Sequence, residues 1–262
     1  MKLSVSNIGW EAKYDQEIYT ELNRLGFQGI EIAPTRIFGE KPYEKGNEAK
    51  EFCKKLWEKY GLKISSMQSI WYGRNEKIFA SLKEREILID YTKRAIDFAE
   101  KLECRNLVFG CPKNREMFSN MQEKIAIDFF RELGEYSVQH DTVFSLEANP
   151  EIYNTNFMNK TQDALQIVKQ VHSKGCKLNL DFGTIVENKE SLNYLKENTQ
   201  YINHVHISEP FLKMIKCRDE HRLLRDILEN SGYMGYISIE MGKDAGYENL
   251  IKSILYVKEL FG

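Results

Sequence analysis

The sequence predicts an α/β protein, a single-domain (β/α)8 TIM barrel over residues 1–262, from three observations. Short apolar runs alternate with amphipathic stretches eight times over, and strict strand–helix alternation implies parallel strands. One barrel of about 250 residues uses the whole length without remainder. The alternative, an open doubly wound sheet, wants a Gly-rich phosphate loop after its first strand, and SNIGWEAKYD carries one glycine and no G-x-G-x-x-G.

The units follow in order. LSVSNIGW (3–10) leads into EIYTELNRLG, GIEIAP (29–34) into AKEFCKKLWEKYG, and KISSMQS (63–69) into REILIDYTKRAIDFAEKLEC. RNLVFG (105–110) leads into EKIAIDFFRELGEYSVQH, and TVFSLEA (142–148) into DALQIVKQVHSKG. KLNLDFG (177–183), HVHIS (204–208) and GYISIEM (235–241) precede the last three helical stretches. Helical spacing is plain in Ile87, Tyr91, Ala95 and Phe98, which recur every three or four residues. Gly26, Gly61 and Gly175 stand where a left-handed residue would end a helix before the next strand. Trp57, within an amphipathic stretch, is expected in the core, and His140 and His172, at helix ends, on the surface.

Composition narrows the functional class. Lys and Arg total 37 against 39 Asp and Glu, a balance that favours neither nucleic acid nor a membrane surface as partner. No run of about 18 apolar residues exists to span a bilayer. Met1 and Lys2 lead directly into a strand rather than a signal peptide, so a cytoplasmic protein is expected. The five cysteines, Cys53, Cys104, Cys111, Cys176 and Cys217, form no C-x-x-C pair and read as reduced thiols.

Chemistry concentrates in the second half. Four strand segments each end in a metal-binding residue type: Glu147 in FSLEANP, Asp181 in LNLDFGT, His206 in HVHISEP and Glu240 in ISIEM. Successive side chains of a strand face opposite ways. One face therefore carries Ser145, Glu147, Asn179, Asp181, His204, His206, Ser208, Ser238 and Glu240, and the other Leu146, Leu178, Leu180, Val205, Ile207, Ile237 and Ile239. The polar face looks into a shared interior at the C-terminal ends of the strands, where barrel active sites lie. Three carboxylates and one imidazole suit one divalent metal ion, Mn²⁺ foremost, with Mg²⁺, Co²⁺ and Zn²⁺ as substitutes. Glu147 and Glu240, from opposite ends of this arc, can approach opposite faces of one substrate carbon, an acid/base pair for taking and returning a proton.

These four segments, with GFQGIEI at Gly26–Ile32 and GYMGYISIEM at Gly232–Met241, resemble the xylose isomerase-like barrel superfamily of sugar and sugar-phosphate isomerases and epimerases. The resemblance covers the whole chain. It implies that Glu147, Asp181, His206 and Glu240 hold one divalent metal and that the two glutamates double as catalysts. HVHISEP followed by Glu220 and His221, and FGCPKNR on the fourth strand, look closest to sugar-phosphate isomerase/epimerase members. Relatives that epimerise free ketoses often carry His where Thr184 stands and Glu where Tyr153 stands. The superfamily's apurinic endonucleases use additional His residues where this chain has Gln68 and Phe109–Gly110.

The expected activity is a metal-dependent epimerase or isomerase of a sugar or sugar phosphate. The alternatives are a metal-dependent dehydratase of a keto-polyol or hydroxy acid, and a non-catalytic sugar-binding barrel. Homo-oligomerisation stays open. Trp10 and Trp71, at the ends of early strands, are candidates to wall the pocket. Lys113 and Arg115, just past the fourth strand, are candidates to hold a phosphate or carboxylate, so that Arg115→Ala would raise KM for an anionic substrate. Glu31, on an inward strand face, together with Gln68, His204, Glu209 and His221, completes the candidate substrate contacts.

Overall fold

A computed structural model describes residues 1–119 and 122–262. Eight parallel strands pair in chain order and close β8 onto β1. They are β1 (Lys2–Ser6), β2 (Gly29–Ile32), β3 (Lys63–Met67), β4 (Leu107–Phe109), β5 (Phe144–Glu147), β6 (Cys176–Asp181), β7 (Ile202–Ser208) and β8 (Tyr236–Glu240). The helices between them are α1 (Asp15–Arg24), α2 (Pro34–Phe38), α3 (Gly46–Tyr60), α4 (Leu82–Lys101), α5 (Glu123–Gln139), α6 (Thr161–Val171), α7 (Phe182–Asn188), α8 (Asp219–Asn230) and α9 (Tyr247–Phe261).

Branched and aliphatic side chains on the outer strand faces, among them Val5, Ile30, Leu146, Leu180, Val205 and Ile239, are fully buried beneath the helices. The helices cover the outer face of the closed sheet, so outward-facing strand residues are aliphatic while those facing the barrel interior can be polar. α4 starts at Ser81, whose hydroxyl accepts the amide of Glu84 and supplies one of the acceptors a helix N-terminus lacks. Among the described residues, no helix is long and apolar enough to cross a membrane.

Two local expectations need correction. Gly26 and Gly61 take the left-handed conformation after α1 and α3, but after α6 it is His172 that does so, at φ 52°. Gly175 serves close approach instead: a Cβ there would lie 2.0 Å from the carbonyl oxygen of Gly134 on α5. Trp57 is 55% exposed, not core. The inward stripe of α3 is Ala49, Leu56 and Tyr60, and the residue after Leu56 is turned about 100° away from it. There the Trp57 ring meets the ammonium of Lys63 at 5.3 Å.

Candidate metal centre

Strand register sets the site. Across β5 to β8, Glu147 lies beside Asn179, Asp181 beside His206, His206 beside Ser238 and Ser208 beside Glu240. One donor atom each from Glu147, Asp181, His206 and Glu240 lies within 4.8 Å of the others, at the C-terminal ends of the strands. His206 Nδ1 points into the carboxylates, 3.0 Å from Glu147 Oε1 and 3.3 Å from Glu240 Oε2.

Three of these four side chains are held from behind. Asp181 accepts from the amide and hydroxyl of Thr184 at 2.7 and 2.8 Å, and from the hydroxyl of Ser208. Asn179 Nδ2 donates to Glu147 Oε1 at 2.6 Å, and Asn149 Nδ2 to Glu147 Oε2 at 3.2 Å. His206 Nε2 lies 3.0 Å from Glu31 Oε2, and Ser238 donates to that same oxygen at 3.0 Å. A carboxylate on the far nitrogen fixes the tautomer and ring orientation of a ligating histidine and raises its basicity. Glu31, fully buried on β2, therefore supports the centre from below.

The electrostatics of the cluster suit a cation. Burial alone would push the Glu31 carboxyl up, yet His206 and His204 hold it well below the usual carboxylate range. Burial likewise disfavours protonated His206, but Glu31, Glu240 and Glu147 carry its pKa well above the ordinary imidazole value. Asp181 is raised, by burial and then by Glu147. Burial raises Glu240 to about 7, with Glu147 and Asp181 adding to the rise and His206 opposing it. Without metal, the proton on His206 is the positive charge among three crowded carboxylates. Three hard oxygens and one imidazole nitrogen facing the same space are a donor set for a divalent ion.

A pH dependence follows. A metal held by these four residues would displace the protons of His206 and Glu240, so affinity for Mn²⁺ is expected to increase as pH rises through about 7 and beyond, with proton release. Calorimetric titration in buffers of differing ionisation enthalpy measures this release. A pH-independent affinity between pH 5.5 and 8 (about two and a half decades of proton activity) contradicts it. For metal-free protein the sign runs the other way. The folded-state pKa of Glu240 lies above its ordinary 4.5, so its stabilising contribution is complete below that value and is lost as pH rises through about 7.

Residues 19–259 match the family model described as a xylose isomerase-like TIM barrel. The chain belongs to this xylose isomerase-like family. None of the curated proteins matches its sequence. Among solved structures, this family member is similar to D-psicose 3-epimerase from Clostridium cellulolyticum H10, with 15% identity over 100% of this chain and 99% of that one, at TM-score 0.81. It is also similar to 3-keto-D-glucoside 4-epimerase from E. coli, with 19% identity over 99% of each chain, at TM-score 0.78. A family 2 AP endonuclease from Brucella melitensis shares 17% identity over 98% of each chain, at TM-score 0.76. At these identities the likeness is one of fold.

The remaining expected contacts divide. Trp10 lines a large groove at the barrel mouth, its indole N–H given to Asp15 at 2.7 Å. Trp71 does not wall a pocket; it is buried against Phe109 and Phe129 and donates to Thr92 at 2.8 Å. Arg115 is no anion clamp. It is fully buried, donating to the Glu147 carbonyl at 2.7 Å and to Asn149 Oδ1 at 3.0 Å, so it braces the end of β5 behind the Glu147 carboxylate. Lys113 is exposed and lines a small hollow with Lys77, Asn114, Glu116 and Asn154, apart from the carboxylate cluster.

Gln68 is buried with its carbonyl taken by the Ser6 hydroxyl at 2.9 Å. His204 is buried beneath His206, its Nε2 3.8 Å from Glu31 Oε2. Glu209 is clamped by Arg218 at 2.6 and 2.8 Å, and its role is to anchor the loop after β7. His221 is packed on Phe182 with Nδ1 3.0 Å from the Tyr256 hydroxyl, inside the helical layer rather than at the mouth.

The Tyr153 hydroxyl, on the loop after β5, accepts the Phe211 amide from the loop after β7 at 2.7 Å. Burial first, and then the charges of Asp181, Glu240 and Glu147, raise its pKa, placing the phenol within electrostatic reach of the cluster. Spacing alone offers no signal for a contact between two loops 58 residues apart.

Proposed function

We propose that the protein is a divalent-metal-dependent epimerase or isomerase of a sugar, acting by proton abstraction and return beside a carbonyl, with Glu147 and Glu240 as the acid/base pair. The observation that carries this reading is the convergence of those two carboxylates on His206 Nδ1 from β5 and β8, the two outer strands of the ligand arc. Glu147, Asp181, His206 and Glu240 would hold the ion, which when bound supplies a Lewis acid to polarise the carbonyl and lower the acidity barrier at its α-carbon. Asn179 and Asn149 keep the Glu147 oxygens oriented, and Thr184 and Ser208 do the same for Asp181.

Several solved neighbours named as sugar epimerases support the substrate class. The phosphate half of the expectation loses its anchor, because Arg115 is committed to the backbone of β5. A neutral sugar is therefore favoured. Protein stripped with a chelator and reloaded with Mn²⁺ should bind about one ion per chain and catalyse deuterium uptake from D₂O into a ketosugar without loss of water. Mass spectrometry of the quenched mixture decides. A product lighter by water means a dehydratase on the same scaffold, and no exchange with any ketosugar means a sugar-binding barrel.

A further inference from the structure

His206 faces two groups of potential ligands. Its Nδ1 meets Glu147 and Glu240 at the mouth, and its Nε2 meets Glu31 on β2, with His204 of β7 on the far side of that carboxylate. One donor atom each from Glu31, His204 and His206 lies within 4.8 Å of the others, and all three side chains are buried. The Glu31 oxygens Oε1 and Oε2 stand 3.1 and 3.0 Å from His206 Nε2, and Oε2 is 3.8 Å from His204 Nε2. The two imidazole planes are nearly perpendicular, with ring centroids 5.3 Å apart, and both rings turn Nε2 toward the one carboxylate.

His204 carries the independent sign of a ligand. It is 1% exposed, and its Nε2 has no hydrogen-bond partner among the described residues. The 3.8 Å to Glu31 is longer than a hydrogen bond. A buried polar atom left unpaired is costly, and native structures keep few of them. The surroundings are also unusual for this fold. Layers inside a closed (β/α)8 barrel are dominated by bulky branched side chains. Here strand register sets Ser238 beside His206, Ser4 beside Ser238 and Ser6 beside Glu31.

Two imidazole nitrogens and one carboxylate differ as a donor set from the three carboxylates and one imidazole above them. The nitrogen-rich set suits Zn²⁺, which accepts two histidines and a glutamate as its protein ligands, and the oxygen-rich set suits Mn²⁺.

We propose that Glu31, His204 and His206 Nε2 form a second metal site, selective for Zn²⁺, on the floor of the barrel beneath the candidate metal centre. The two sites share His206. Zn²⁺ displaces the proton from Nε2, and the proton that remains on the neutral ring stays on Nδ1, facing Glu147 and Glu240. Zinc on the floor therefore withdraws the nitrogen ligand from the mouth, and Mn²⁺ binds there more weakly. The floor site stands on its own donors; only its antagonism to Mn²⁺ rests on the metal-dependent reading given above.

Wild-type protein stripped with a chelator and equilibrated with equimolar Zn²⁺ tests the site by anomalous diffraction at the zinc edge. A peak between Glu31, His204 and His206 Nε2 supports it, and zinc at the mouth alone overturns it. In solution, the Glu147→Gln/Glu240→Gln double variant isolates the floor, because it removes two donors of the mouth and none of the floor. Titration against a chromophoric zinc chelator should show about one Zn²⁺ per chain in this variant. Adding His204→Gln should weaken that binding at least about 100-fold, beyond the roughly 10–100-fold cost of losing an outer partner of a ligand. No zinc in the double variant, or full zinc affinity without His204, overturns the floor site and leaves the epimerase reading untouched. The wild-type diffraction decides even where a variant does not fold. Finally, Mn²⁺ is added to the zinc-loaded wild type and peaks are recorded at both metal edges. Mn²⁺ occupancy that falls as floor zinc rises supports the antagonism. Full occupancy of both positions at once overturns the antagonism and leaves the floor site standing.

Discussion

Glu240→Gln should lower deuterium uptake from solvent by about 10²–10⁴-fold at saturating Mn²⁺, the usual contribution of a positioned general acid or base. Glutamine keeps the shape of the side chain and removes its ability to exchange a proton. The fold should tolerate it, because in the metal-free protein Glu240 is raised to about 7 and already holds its proton at mildly acidic pH. Thermal unfolding of the variant near pH 6 should therefore match that of the wild type to within a few degrees, about 1 kcal/mol. Glu147→Gln should produce a rate loss of the same order, since Glu147 reaches His206 Nδ1 from the other end of the arc. The double variant, lacking two of the four oxygen and nitrogen donors, should bind Mn²⁺ far more weakly than either single variant. Full Mn²⁺ affinity in the double variant, or undiminished exchange in the single ones, would remove both glutamates from the proposed roles.

The barrel and the four candidate ligands were legible because they depend on local pattern. The two-residue alternation of β5 to β8 placed Glu147, Asp181, His206 and Glu240 on one face, and the position of each at its strand's end fixed the height at which they meet. The same alternation put Asn179, Ser208 and Ser238 inward, where they support the ligands. What the pattern does not contain is the direction of a side chain on a loop. Arg115, read as an anion clamp, turns back into the protein, because the buried carbonyl at the end of β5 and the Asn149 amide oxygen need donors. Trp71 and His221 likewise stand at the right ends of their elements but pack outward into the helical layer. Trp57 shows the limit from the other side: one position along a helix is enough to move a large ring from core to surface.

Glu31 combines a direction set by strand alternation with a partner that alternation does not reveal. Its inward orientation followed from Ile30 and Ile32 on either side, but its partner is a residue 175 positions away. With both the His206 ring and Glu31 fully buried, the pair has no water to fall back on. Glu31→Leu should therefore destabilise the protein by about 3–5 kcal/mol, the cost of leaving one member of a buried pair unmatched. It also strands the Ser238 hydroxyl that now donates to Glu31. Glu31→Gln is the milder probe and the more informative one. An amide oxygen still accepts from His206 Nε2 but brings no charge, so the imidazole becomes a poorer ligand and holds its own proton less tightly. Two effects follow with opposite visibility. At a pH high enough that the His206 proton no longer competes, Mn²⁺ affinity should fall about 10–100-fold, as it does when the outer partner of a ligating histidine is removed. The midpoint of the pH dependence of binding should move to lower pH, because the Glu31 charge that helps raise the His206 pKa is gone. A purely structural role for Glu31 would weaken the fold without moving that midpoint. An unchanged midpoint in Glu31→Gln, measured alongside unchanged high-pH affinity, would separate Glu31 from the metal centre altogether.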